Sequence, residues 1–180
     1  MSPSPLIRQF VTFNLMGDEY ALQIEYVREI VESERITSIP SMPPVVRGVM
    51  NLRGNVIPVV DLPLKFGLPE TAVGAAGAYI VVLELVWSGE LVRLGLLTTE
   101  LGRVVDVKAD DIKPVPDFGT RIQSEYLRGV GQVEGRFILF LDTERLLSPA
   151  ELLRITALDN PRPNPDPSPR NAASGQAGGA

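Results

Sequence analysis

The chain has no cysteine and no histidine among its 180 residues. Disulfides, thiolate nucleophiles, cysteine or histidine metal sites and histidine general bases are therefore excluded. Aromatic residues are scarce at 6%, with a single tryptophan. Positive charge is in deficit: 17 Lys and Arg against 22 Asp and Glu give a net charge of −5, the opposite of the basic face that nucleic acid requires. Long apolar runs are missing too. GAAGAYIVVLELVW, residues 74–87, is the most apolar stretch; it is shorter than the ~18 residues of a membrane span and carries Glu84. MSPSPLIRQF at the start lacks the apolar run of a secretory leader. The expectation is a cytoplasmic protein with no cofactor, no metal, no nucleic-acid partner and no inserted membrane segment.

Catalytic candidates are equally thin. Asp110-Asp111 and Asp18-Glu19 lie in turn-like contexts, where carboxylates are ordinarily solvated. GVGQVEG, residues 129–135, lacks the lysine and Ser/Thr pair of a phosphate loop. GAAGA, residues 74–78, reads as a linker. No enzyme is expected.

What is present is a β-rich body. With 44% hydrophobic residues the chain has enough apolar surface for a core. Short Val/Ile/Leu runs broken by Gly, Pro, Asp and Asn predict strands at 10–15, 19–22, 27–32, 49–52, 56–60, 79–86, 91–97, 104–107, 130–133 and 137–141. Short helical pieces are expected at 24–26, 44–47 and 143–147. A longer helix, 149–158, is announced by Ser148 as cap, Pro149 at the first position and Glu151 three residues after the cap. From residue 160 the sequence NPRPNPDPSPR alternates proline with polar residues and runs into NAASGQAGGA. This predicts a disordered, polyproline-like tail over 159–180.

The body contains a copy of itself. RGVMNLRGNVIPVVD (47–61) aligns without a gap on RGVGQVEGRFILFLD (128–142), YALQIEYVREIV (20–31) on LGLLTTELGRVV (94–105), and ITSIP (36–40) on IKPVP (112–116). Duplication is the direct reading: one domain over 8–158, with halves of about 20–68 and 94–148, each of the size of a small five-stranded barrel. Shared positions are expected to serve the fold. Gly54 and Gly135 would take positive φ in hairpin turns. Val56 and Phe137, like Val59 and Phe140, would be core. Asp61 and Asp142 would end a strand and begin a turn or helix. Positions that differ in kind are free for function, and charge reverses at two of them: Arg53 aligns with Glu134, and Glu29 with Arg103. The fold does not need arginine at the hairpin tip, so Arg53 reads as a recognition residue on a rigid turn, with a solvated surface charge as the alternative.

The residues FVTFNLMGDEYAL, IEYVREIV and ITSIPSMPPVVRGVMNLRGNVIPVVDL, with ADDIKPVP and EYLRGVGQVEGRFILFLDTERLL in the second half, resemble the CheW family of chemotaxis coupling proteins. The likeness covers about 9–153. It implies an all-β fold of two interlocked five-stranded SH3-like barrels, with short helices and a C-terminal helix. It also implies a non-enzymatic adaptor joining methyl-accepting chemoreceptor tips to the regulatory domain of a CheA-type histidine kinase at membrane-associated receptor arrays, with contacts between copies or in rings as a further expectation. The partner-binding residues it implies are Val27, Glu29 and Arg53, with Asn51 and Gly54 in the same tip. Val27 and Glu29, two apart in a strand, are expected on one face. Thr98 and Thr99 stand where the family commonly has valine and aspartate. The alternative reading is a CheW-like structural or regulatory scaffold with a different partner in a non-flagellar chemosensory system.

Overall fold

The computed structural model describes residues 4, 6–33, 35–69, 71, 77–116 and 122–159, without the side chains of 158 and 159. Of the tail expected over 159–180, residues 160–180 lie outside the described residues. Within them are strands β1 (Ile7–Leu15), β2 (Asp18–Gln23), β3 (Val27–Glu32), β4 (Val46–Leu52), β5 (Asn55–Asp61), β6 (Ala78–Trp87), β7 (Glu90–Thr99), β8 (Leu101–Lys108), β9 (Leu127–Val133) and β10 (Arg136–Leu141), with helices α1 (Leu62–Lys65) and α2 (Pro149–Asp159). Each strand expected from the sequence is found. The expected helix at 44–47 is not: Val46 already pairs with Val60, because the β-branched Val45-Val46 pair suits a pleated edge. The expected helix at 143–147 shortens to a 3₁₀ turn, Thr143–Arg145.

The strands form two five-stranded sheets, ordered β8-β1-β2-β10-β9 and β3-β6-β7-β5-β4. The first hairpin of each half is thus exchanged into the sheet built by the last three strands of the other. The two parallel pairings share one register: β5 runs parallel to β7 with Val59 opposite Gly95, and β10 runs parallel to β2 with Phe140 opposite Ala21. These are the same positions under the sequence alignment of the halves. In each sheet the edges are joined by one further bridge, Thr37 to Val49 and Lys113 to Val130. The chain beyond β3, or β8, thereby returns to the opposite edge strand. Close approach there requires the glycines of the two Arg-Gly-Val motifs. A Cβ on Gly48 would lie 2.0 Å from the Thr37 carbonyl oxygen, and one on Gly129 2.6 Å from that of Lys113.

Burial follows from the strand alternation. All five strands of the first sheet feed one small cluster, including Phe10, Val105, Ile138, Phe140 and half-buried Val133. All five of the second feed another, including Val31, Met50, Ile57, Ile80 and Leu97. A larger shared cluster joins the sheets: Phe13, Tyr20 and Leu22 on one side, Val81, Leu83, Leu94 and Leu96 on the other. Strands β6 and β7 are apolar on both faces because each face is buried. Val59 and Phe140 are core as expected, but Val56 and Phe137 are not, at 51% and 71% exposure. Phe137 shares its face with Leu139 and Leu141, but the shared cluster ends at Leu139, before the hairpin tip.

Helix α2 closes the open side of the shared cluster with Leu152 and Ile155. Its start is a reciprocal cap: Glu151 N–H donates to Ser148 Oγ (3.2 Å), and Ser148 N–H to Glu151 Oε2 (3.0 Å). Lys65 at the end of α1 clamps Glu151 at 2.7 Å. Ser148→Ala is expected to lower stability by about 1 kcal/mol, measured by chemical denaturation.

Candidate partner-binding face

The β4–β5 hairpin turns through Arg53 (φ 52°) and Gly54 (φ 85°), the two-residue turn whose twist fits a hairpin. The equivalent turn in the other half uses Glu134 (φ 51°) and Gly135 (φ 79°). Positive φ at Gly54 and Gly135 is as expected. At Arg53 a bulky residue holds the left-handed conformation where Asn or Asp is ordinary. Asn51 supplies what the arginine cannot: its Oδ1 accepts from Gly54 N–H at 3.0 Å, bracing the tip. Asn51 is thus placed as a support for Arg53.

The arginine side chain is 80% exposed and reaches back to β3, where Nη2 lies 3.1 Å from Glu29 Oε2. Glu29 is only 24% exposed. In the other half Arg103, on β8, pairs with Glu134 at its tip. The two charge reversals of the sequence are therefore one event: an ion pair between hairpin tip and neighbouring strand, kept in both halves with signs exchanged. The hydrogen bond to Glu134 also holds the Arg103 guanidinium proton above its ordinary affinity. Each reversal is visible in the sequence by itself; their simultaneous change of sign is the signal of contact.

Val27 is not on the face of Glu29. Val27 lies opposite Leu83 and Glu29 opposite Val82, adjacent β6 residues that point to opposite faces. A bulge at Arg28 inserts one residue and inverts the alternation. Val27 packs on the shared cluster between the sheets, whereas Glu29 stands at the mouth of the second sheet's own core, beside Leu52 and Ile57. The structure thus brings together Glu29, Asn51, Arg53 and Gly54 and separates Val27 from them.

Around the Glu29–Arg53 pair is a cleft of about 180 Å³. Arg28 and Arg93 line it, and both approach Glu84, at 4.0 and 3.1 Å. Three guanidiniums against two carboxylates leave surplus positive charge. Arg53 has five N–H donors on a side chain that is 80% exposed beside Glu29, so the fork can engage a second carboxylate.

Thr98 and Thr99 close β7, Thr98 fully buried and Thr99 Oγ1 donating to the Asn14 carbonyl at 3.4 Å. The equivalent residues in the first half, Ile24 and Glu25, form a 3₁₀ turn. In the second half the strand therefore continues where the first half turns.

A model of the CheW-like domain matches residues 9–151. The chain belongs to the CheW-like domain family. It is 32% identical to the chemotaxis protein CheW of Klebsiella aerogenes over 145 residues, 81% of this chain and 84% of that protein. It is also 32% identical to CheW of Treponema pallidum over 153 residues, 83% and 88% of the two chains. The crystal structure of the scaffolding protein TtCheW from Thermoanaerobacter tengcongensis superposes with a TM-score of 0.70 at 27% identity, covering 84% of this chain and 94% of that one. The function is that of a chemotaxis coupling and scaffold protein, in a family of non-catalytic couplers. Among the described residues no helix is long and apolar enough to cross a membrane.

The paired reversal gives a direct test of the tip. Arg53→Glu and Glu29→Arg each bring like charges together. The double exchange recreates the other half's arrangement. Each single variant is expected to lose up to about 1 kcal/mol, and the double variant to regain about half of the summed loss, as solvent-screened pairs do. Urea denaturation of the four chains measures it.

Proposed function

We propose that this chain couples the cytoplasmic tips of methyl-accepting chemoreceptors to the regulatory domain of a CheA-type histidine kinase. It would act by binding alone, with no catalytic step, in the cytoplasm at membrane-associated arrays. The observation that carries this reading is the Glu29–Arg53 pair on a braced hairpin tip, in a CheW-like domain, with donor capacity left for an acidic partner. Asn51 and Gly54 hold the tip, Arg53 and Glu29 touch the partner, and Val27 acts from the groove between the sheets. A planar guanidinium fork suits a carboxylate held bidentately. Exposed charge and apolar residues on separate faces also leave room for contacts between copies, in rings.

The domain organisation is inferred on the same footing: a CheW-like domain over 8–158, produced by duplication of halves of about 20–68 and 94–148, followed by a tail over 159–180. The equal register of the two parallel strand pairs supports it. The test of function is titration of the full chain with a kinase regulatory domain and with a receptor-tip fragment from the same organism. Saturable binding of both is expected. Binding of neither overturns the coupling role and leaves a scaffold with another partner.

A further inference from the structure

A cleft of about 430 Å³ opens where α2 begins, away from the Arg53 tip. It is lined by the aromatic rings of Trp87 and Tyr126, by Pro149 and Leu152, and by the carboxylates of Glu125 and Glu144. Two basic side chains also line it: Lys65, held by Glu151 at 2.7 Å, and the exposed Arg145, 3.6 Å from Asp142. Among the described residues neither acid has an ion-pair partner: Glu125 is exposed, and Glu144 accepts from the neutral Tyr26 hydroxyl at 3.1 Å. Burial, then this contact with Glu144, holds the Tyr26 phenol above its ordinary pKa. The Tyr126 ring is already covered by Lys65, 5.3 Å from its centre, and by Phe66 at 5.5 Å, so the Trp87 ring, with Pro149, Leu152 and the two carboxylates around it, is the wall that suits a proline-rich segment carrying arginine. Proline rings stack on flat aromatic walls, the extended backbone loses little entropy on docking, and arginine meets the acids.

Such a segment follows α2 in this chain. Residues 161–170, PRPNPDPSPR, place proline at every second position from 161 to 169, with arginine at 162 and 170. Its length fits. The 11 residues of α2 separate the end of the helix from the cleft by about 16 Å. The nine residues 161–169 span roughly 28 Å in polyproline form. Asn160-Pro161, a turn-favouring pair, stands where the chain would reverse. We propose that residues 161–170 fold back along α2 and occupy the Trp87–Tyr126 cleft of their own chain, with an arginine against Glu125 and Glu144. This is independent of the coupling role of the Arg53 face.

Trp87 is the only tryptophan, so its fluorescence reports the cleft alone. Three chains are compared: the full chain, a chain ending after Asp159, and a full-length variant with the five prolines 161–169 changed to serine. The last keeps the fold at issue should truncation disturb α2, and circular dichroism checks both. Both altered chains are expected to show red-shifted Trp87 emission and at least about twofold stronger acrylamide quenching, as for an aromatic wall stripped of its proline cover. A PRPNPDPSPR peptide added to the truncated chain should reverse this saturably. Identical emission and quenching in all three chains overturns the proposal. So does protection that appears only as protein concentration rises, which would place the tail on a second copy.

Discussion

Asp61→Ala is expected to lower the stability of this protein by about 3–5 kcal/mol, because several buried donors lose one shared acceptor. Its carboxylate is completely buried and receives four donors. Arg47 Nη1 lies at 2.8 Å, Thr71 N–H at 2.9 Å, Leu64 N–H at 3.1 Å and Thr71 Oγ1 at 3.2 Å. One side chain thus ends β5, caps α1, ties down Thr71 and neutralises Arg47. With it gone, Arg47 stays largely enclosed, and three polar groups lose their acceptor. The equivalent Asp142 provides the internal control. It also ends a strand, but it is partly exposed, and among the described residues its side chain meets only Arg145, at 3.6 Å. Asp142→Ala should cost no more than about 1 kcal/mol. For a domain of this size the difference appears as a fall of roughly 10 °C in Tm for the first substitution and a few degrees for the second, measured by calorimetry. Equal losses at the two sites would contradict the assignment of Asp61 as the centre of that network.

Gly48→Ala is expected to cost roughly 3 kcal/mol, assembled from backbone strain and lost hydrogen bonds. Gly48 has φ +145°, which an L side chain rarely adopts, and its added Cβ would lie 2.0 Å from the Thr37 carbonyl oxygen. Backbone must move, and what moves is the bridge that joins the edges of the second sheet. Thr37 N–H donates to Val49 O at 2.8 Å, and Val49 N–H to Thr37 O at 2.9 Å. Gly54→Ala is the control for conformation without crowding. Its φ is +85°, but nothing lies within 4 Å of an added Cβ, so about 1 kcal/mol is expected. Hydrogen exchange should show the Thr37 and Val49 amides losing protection in the first variant and keeping it in the second.

Much of this was readable from residue pattern. The ten strands followed from period-two runs punctuated by turn residues, because a protein with two curled sheets and little helix leaves few competing assignments. The duplicate showed which positions belong to the fold. Gly54, Gly135, Val59, Phe140, Asp61 and Asp142 all took the structural roles that matching across the halves implies. The cap of α2 was legible because all of its parts lie within four residues. What the pattern could not show depends on the third dimension. The bulge at Arg28 is one unpaired residue, with no special residue type to announce it, and it moves Val27 and Glu29 to opposite faces. Val56 and Phe137 are apolar, yet they lie at hairpin ends beyond the reach of the shared cluster. The exchange of first hairpins between the sheets leaves no mark in a linear alignment. The ion pairs of Arg53 with Glu29 and of Glu134 with Arg103 span 24 and 31 residues of chain, and only their joint change of sign betrayed them.

That joint change also decides how the Arg53 face is best tested. Arg53→Glu alone alters both the charge shown to a partner and the contact with Glu29. Adding Glu29→Arg restores an internal pair while keeping the tip acidic. The decisive measurement is therefore a calorimetric titration of the wild type, Arg53→Glu and the double variant with a kinase regulatory domain and a receptor-tip fragment. The result expected is tight binding by the wild type, and a loss of about tenfold or more, roughly 1.4 kcal/mol, for at least one partner in both variants. The double variant would then be folded and tip-paired yet still weak. Binding of both partners by all three chains with equal affinity would contradict the account, and so would full recovery in the double variant, which would make the braced tip and not its arginine the thing recognised.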